Sequence, residues 1–185
     1  MSILRPVVLS IAGFDPSGGA GLLADIKTFE ANKVQGLGVV SALTFQNEST
    51  FEKVEWIEAE KIALQIEVLH QKNEFKYVKI GIIQNIDSLI FIINYLNKLI
   101  NKRPIYIIWD PIIRASAGFE FHKAFQTEKL LEVLNGIFLI TPNTEEAKFL
   151  TGMDDEKQAA EFLAKNCNVL LKGGHNVKEK GKDFL

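Results

Sequence analysis

At 185 residues, of which 47% are apolar, the chain fits one globular domain with a sizeable core. Its 21 Lys and Arg against 23 Asp and Glu leave a net charge of −2, so charge gives no reason to expect nucleic acid or an anionic membrane as partner. The single cysteine, Cys167, excludes an intrachain disulfide, and no signal-peptide pattern opens the chain; a cytoplasmic location is expected. The most apolar segment, residues 89–100, is too short to span a bilayer and is interrupted by Asn94, Asn97 and Lys98.

Pro6 to Ala12 reads as a buried strand, and from Ala20 onward Leu22, Leu23, Ile26 and Phe29 recur at helical spacing. Between them lies a glycine-rich loop. Gly18, Gly19 and Gly21 allow positive φ and close backbone approach, and the start of the helix leaves N–H groups facing the loop, which predicts a pocket for a polar ligand. Gly13 and Gly18 have the Walker A glycine spacing, but Gly19-Ala20 stands where Lys and Ser/Thr belong, and no Gly-x-Gly-x-x-Gly is present. Asp25, early in the helix, is placed to reach a ligand in the loop.

A second buried strand spans residues 36–43 and ends at Thr44-Phe-Gln-Asn47. A helix over residues 59–72 presents Ile62, Gln65, Ile66 and Leu69 on one face, and a short strand, residues 77–80, runs into Gly81. Asp87-Ser88 offers a cap for a helix to Lys102, and the strand at residues 105–109 meets Asp110-Pro111. A helix at 128–134 precedes a strand at 137–141, Pro142-Asn143 opens a helix to Leu150, and Asp154 or Asp155 caps another to about Lys165. A last strand, residues 168–172, leads to Gly173-Gly174-His175. This alternation predicts an α/β domain with a mostly parallel sheet covered on both faces.

In such sheets ligands bind outside the carboxyl ends of the strands. Those ends carry Gly13 and Asp15, Gln46 and Asn47, Gly81, Asp110, Asn143 with Glu146, and Lys172 with Gly173 and Gly174. Gln46 has the donors and acceptor to pair with a ring nitrogen and an adjacent amino group; its plainer role is a helix-capping amide. Asn143 and Glu146 lie three apart, suited to holding Mg2+ or its waters, or to forming a capping box. Asp110 at the end of a central strand requires a partner, and Lys172 should emerge beside an anion-binding turn. His70, His122 and His175 lack metal-ligand spacing, and Cys167 reads as core rather than nucleophile.

Together, Ala12-Gly-Phe-Asp-Pro-Ser-Gly-Gly-Ala-Gly21, Ala24-Asp25-x-Lys27-Thr28, Ser41-Ala-Leu-Thr-x-Gln-Asn47, Lys79-Ile-Gly81, Asp110-Pro111, Ile140-Thr-Pro-Asn143-x-x-Glu-Ala147 and Leu171-Lys-Gly-Gly-His175 resemble the hydroxymethylpyrimidine/phosphomethylpyrimidine kinases of thiamine biosynthesis. These belong to the ribokinase-like superfamily, and the resemblance covers nearly the whole chain. It implies a single ribokinase-like kinase domain over residues 1–185, a three-layer αβα fold with a mostly parallel central sheet. The implied reaction is ATP- and Mg2+-dependent phosphorylation of 4-amino-5-hydroxymethyl-2-methylpyrimidine and then of its monophosphate, by a homodimer. By matching motifs, Gly13, Asp25 and Gln46 would contact the pyrimidine, with Ile82 and Ile112 as apolar walls. Asp110 and Glu146 would organise Mg2+, Asn143, Glu146, Lys172 and Gly174 would bind the nucleotide phosphates, and Lys172 and Asp110 would serve catalysis.

The family continues past the Lys-Gly-Gly-His strand to a Gly-Thr-Gly-Cys-like helix start that supplies an anion hole and the group accepting the substrate's proton. This chain stops at Leu185, so it is expected to be C-terminally incomplete relative to the family and to expose apolar surface. Phe14, Phe45, Ile82 and Trp109 are variations that reshape the pocket. Two other readings stand beside the kinase: a pyridoxal/pyridoxine kinase, and a non-catalytic pyrimidine-binding protein derived from the kinase.

Overall fold

A computed structural model describes residues 5–99, 104–114, 120–122, 126–173 and 183–185. Its strands are β1 (Val7–Phe14), β2 (Gln35–Gln46), β3 (Phe51–Trp56), β4 (Tyr77–Ile80), β5 (Tyr106–Trp109), β6 (Leu139–Ile140) and β7 (Asn168–Val169). The helices are α1 (Gly21–Ala31), α2 (Ala59–His70), α3 (Ile86–Leu99), α4 (Thr127–Gly136), α5 (Thr144–Thr151) and α6 (Glu156–Ala164). The strands form one sheet in the order β3-β2-β1-β4-β5-β6-β7. All neighbours are parallel except β2 and β3.

Central strands need side chains that tolerate burial on both faces, and Leu9, Ile11, Val78, Ile80, Ile107 and Ile140 supply them, each at most 1% exposed. Beyond β1 the chain moves one way to β2 and, after β3, the other way to β4 and β5. With right-handed crossovers that reversal puts α1 on one face and α3 and α4 on the opposite face. Close packing of α1 depends on bare backbone in β2, because a Cβ at Gly36 would meet Ile26 and Phe29, and one at Gly38 would meet Leu22. The reversal also makes the carboxyl ends of β1 and β4 the switch point, where a ligand crevice is expected.

Three local features differ from the sequence reading, and a fourth, the α6 cap, is settled between its two candidates. No strand is expected between Asn47 and Ala59, yet β2 continues through Gln46 and folds back into β3. The turn is built on Asn47, whose Oδ1 accepts from the backbone N–H groups of Ser49 and Thr50, each at 2.9 Å, and from both hydroxyls. Glu52, Lys53 and Glu55 obscure the β3 pattern, although charge on an exposed edge strand is what keeps it from pairing with another chain. The cap of α3 is Asn85, with Oδ1 2.9 Å from the Ser88 amide, whereas Asp87 sits in the first turn and pairs with Lys129. Of the two candidates for α6 the cap is Asp155. Strands β6 and β7 are also shorter than the apolar runs that encode them. The expected end of α3 at Lys102 lies outside the described residues.

Candidate functional site

The carboxyl ends of the strands open into one cleft of about 1580 Å3. Of the residues singled out from sequence, Gly13, Gln46, Ile82, Ile112, Asn143, Glu146 and Lys172 line it. Asp25 and Asp110 lie behind that lining, each bound to a lysine that does line it. Gly174 and His175 lie outside the described residues.

At the β1 end, the glycine loop is held by its own carboxylate. Asp15, only 4% exposed, accepts from the Ser17 amide, the Ser17 hydroxyl and the Ala20 amide, all at 2.9 Å. Burial pushes this carboxyl up, but the Ser17 hydroxyl and the loop amides outweigh it and hold it below the usual value. Asp15 thus pins the loop through the Ser17 and Ala20 amides, while α1, which begins at Gly21, takes no side-chain cap. Gly21 starts α1 at φ +57°, and a Cβ there would run into the Gly13 carbonyl oxygen, so only glycine lets the helix begin this close to β1. Gly13 is covered by Ile82, whose Cδ1 lies 2.5 Å from where a Cβ would stand.

Gln46 ends β2 inside the hairpin, so no helix follows for it to cap, and its half-buried side chain lines the cleft. Thr44, also in the lining, donates to the Phe14 carbonyl at 2.9 Å. Across the cleft, the segment after β5 brings Phe121 edge-on to Phe51 and Trp56 of β3, with ring centroids 5.6 and 6.0 Å apart. Sequence reading missed Phe51 and Phe121 as cleft residues, since nothing local links two aromatics so far apart in the chain.

At the other end, the chain ends of β5, β6 and β7 bring three charges together. Lys172 Nζ donates to Asp110 Oδ1 at 2.7 Å and lies 3.7 Å from Glu146 Oε2. Asp110 also accepts from the Thr141 hydroxyl at 3.2 Å, which meets the expectation that a strand-end carboxylate needs partners. Asn143 and Glu146 form a complete capping box on α5: Asn143 Oδ1 accepts from the Glu146 amide at 2.9 Å and Glu146 Oε2 from the Asn143 amide at 2.8 Å. Burial pushes the Glu146 carboxyl up; the Asn143 amide and Lys172 oppose that, and the Asp110 charge adds to it.

Two carboxylates beside an open cleft are the hard oxygen ligands Mg2+ uses when phosphate oxygens and water complete its shell. Among the described residues no group of three or more His, Cys, Asp or Glu forms a self-sufficient metal site. His122 is pulled down to about 4 by burial and is neutral near pH 7. The Cys167 thiol, pushed up to about 11 by burial, is inert as a nucleophile, in keeping with its reading as core.

Residues 15–185 match the family model described as phosphomethylpyrimidine kinase. A hydroxymethylpyrimidine/phosphomethylpyrimidine kinase of Aquifex aeolicus is 35% identical over 187 residues, covering 97% of this chain and 72% of that protein. Its Bacillus subtilis counterpart is 35% identical, covering 97% of this chain and 67% of that protein. Among solved structures, a phosphomethylpyrimidine kinase from Clostridium difficile superposes with a TM-score of 0.80 at 33% identity, covering 97% of this chain and 79% of that one. A Staphylococcus aureus pyridoxal kinase solved with ADP gives 0.79 at 25% identity, covering 97% of this chain and 68% of that one.

Proposed function

The chain belongs to the phosphomethylpyrimidine kinase family, with its ribokinase-like three-layer fold, and on that premise we propose that it phosphorylates 4-amino-5-hydroxymethyl-2-methylpyrimidine and then its monophosphate, using ATP, in thiamine biosynthesis. The observation that carries this reading is the continuity of the cleft. A heterocycle-sized end lined by Gly13, Gln46, Ile82 and Ile112 joins a charged end lined by Asn143, Glu146 and Lys172. Its volume exceeds the roughly 300–1,000 Å3 usual for one small ligand, which leaves room for a pyrimidine and a nucleotide side by side.

In this reading the hydroxymethyl oxygen attacks the γ-phosphorus as the bond to the β–γ bridging oxygen breaks, ADP leaves and the hydroxyl proton is released to water; in the second transfer a phosphate oxygen of the monophosphate attacks instead. Gln46 orients the ring by its amide, and Ile82 and Ile112 exclude water from its faces. Phosphoryl transfer spreads negative charge over the moving group, so catalysis rests on positioning and on cations aimed at that charge. Lys172 supplies one, held by Asp110 until phosphate oxygens compete for its donors. Asp110 and Glu146 would hold Mg2+, which when bound neutralises phosphate charge. Asn143 fixes Glu146 through the capping box, and Asp25 acts from behind the cleft. The reading extends to a cytoplasmic homodimer, for which sedimentation of the purified protein is the check on assembly.

Calorimetry with the pyrimidine beside an assay of ADP release tests the proposal. Binding together with ADP release supports it, while binding without ADP release identifies a non-catalytic pyrimidine binder. The superposition with pyridoxal kinase makes pyridoxine the competitor to include: if pyridoxine binds more tightly, the substrate assignment moves to the pyridoxal-type kinases. Gln46→Leu should weaken the aminopyrimidine more than a ligand lacking that donor-acceptor edge.

A further inference from the structure

The antiparallel register of β2 and β3 runs evenly from the Ala42–Trp56 pair to the Phe45–Lys53 pair and then slips by one, so that Gln46 faces Phe51 rather than Glu52. Bulges of this kind re-aim a side chain and are frequent beside ligand sites. The consequence here is chemical: an aromatic ring takes the place of a carboxylate as the neighbour of Gln46. Directly opposed residues point to one face of a sheet with Cβ atoms about 4.5–5.5 Å apart. Gln46 and Phe51 accordingly both line the cleft.

Phe51 and Phe121 are half-buried and stand outside the hydrophobic core, yet their rings meet edge to face with centroids 5.6 Å apart. Phe121 reaches β3 because its segment turns back on itself: its amide donates to the Ile113 carbonyl at 2.9 Å, one residue beyond Ile112. The contact therefore links the neighbour of Gln46 to the arm that carries the Ile112 wall. The result is an apolar corner that opens into the cleft.

Sheet order limits what this corner can hold. Strand β3 is the edge strand farthest from β7, and Lys172 lies just beyond β7, so the corner and the charged end stand at opposite ends of the cleft. On the aminopyrimidine, the amino group and ring nitrogen assigned to Gln46 are flanked by the hydroxymethyl group on one side and the 2-methyl group on the other. Transfer requires the hydroxymethyl group to face the phosphates. The methyl group then faces the corner.

Resting on the aminopyrimidine reading, we propose that Phe51 determines specificity for the methyl group at ring position 2. Ile82 and Ile112 cover the ring faces, Gln46 reads the polar edge, and Phe51 packs end-on against the methyl. Phe121 is a positioning residue that acts through its edge contact with Phe51.

Calorimetry tests this with two probes: the aminopyrimidine, and its analogue with hydrogen in place of the 2-methyl. One methyl in an apolar pocket predicts that the unaltered protein binds the analogue about 10- to 200-fold more weakly. Phe51→Ala should remove most of that ratio by weakening the methylated ring alone, and Phe51→Trp should reduce it by crowding the methyl. Phe121→Leu should reduce it less. The ratio is taken within each protein, so a general loosening of the fold, which weakens both probes alike, leaves it unmoved. Equal binding of the two probes by the unaltered protein, or an unchanged ratio in either Phe51 variant, overturns the role of Phe51 and leaves the kinase reading standing. No binding of the pyrimidine by the unaltered protein overturns the reading beneath it, and this inference with it.

Discussion

Two helices start at the carboxyl rim of the sheet with a buried carboxylate beside their first turn, and the two carboxyls are driven in opposite directions. At α1, Asp15 collects the Ser17 hydroxyl and the Ser17 and Ala20 amides, and its acidity rises despite burial. At α5, Glu146 has one short bond, from the Asn143 amide, with Lys172 at 3.7 Å and Asp110 adding like charge; there burial wins and the proton is held more tightly. Three causes separate them: Asp15 has more donors, whereas Glu146 is the more deeply desolvated and stands beside the Asp110 charge. Asp15 is complete within its own loop. Glu146 is short of positive charge, and a cation brought beside it would favour its ionised form.

The charged end should break most visibly at Lys172. Lys172→Ala should lower turnover by about 10² to 10³, the usual cost of one preorganised donor to a developing anion; unchanged kcat with intact binding would falsify that role. Next is the loop. Gly21→Ala forces a Cβ toward the Gly13 carbonyl at positive φ and should cost about 1–3 kcal/mol in urea unfolding. Asp15→Ala removes the acceptor for the Ser17 and Ala20 amides that holds the loop before α1 and should cost about 1–3 kcal/mol, as the loss of a hydrogen-bond partner does.

The acid response separates the two carboxylates. Because the folded-state value of Asp15 lies below its ordinary 3.8, its contribution is present above 3.8 and fades as pH falls through the lower folded value. The folded-state value of Glu146 lies above 4.5, so its contribution is complete below 4.5 and fades as pH rises through the higher folded value. Glu146→Gln retains a box acceptor and should change stability at pH 7 by no more than about 1 kcal/mol, while flattening the dependence just above pH 4.5. Denaturation midpoints at pH 3, 5 and 7 read both signs, and identical profiles for the variant and the unaltered protein would erase the contrast at α5.

Local chemistry made much of this legible. Apolar runs ending in Gly13, Gly81 and Asp110 mark buried parallel strands, because burial on both faces leaves no other composition open. The spacing of Asn143 and Glu146 writes the capping box directly, since the helix repeat alone brings them together. The β2–β3 hairpin was hidden by edge charges, and Asp15's hold on its own loop by the glycines around it.

The parallel strands and the polar residues at their ends were therefore marked by sequence alone, through periodicities that act within a few residues. The partners of those residues were decided by tertiary structure. Lys79 meets Asp25 across 54 positions and Lys172 meets Asp110 across 62, because strand order, which no local pattern encodes, sets which chain ends become neighbours. Whether a carboxylate there is satisfied or short of charge depends on the donors, desolvation and neighbouring charge that this packing delivers.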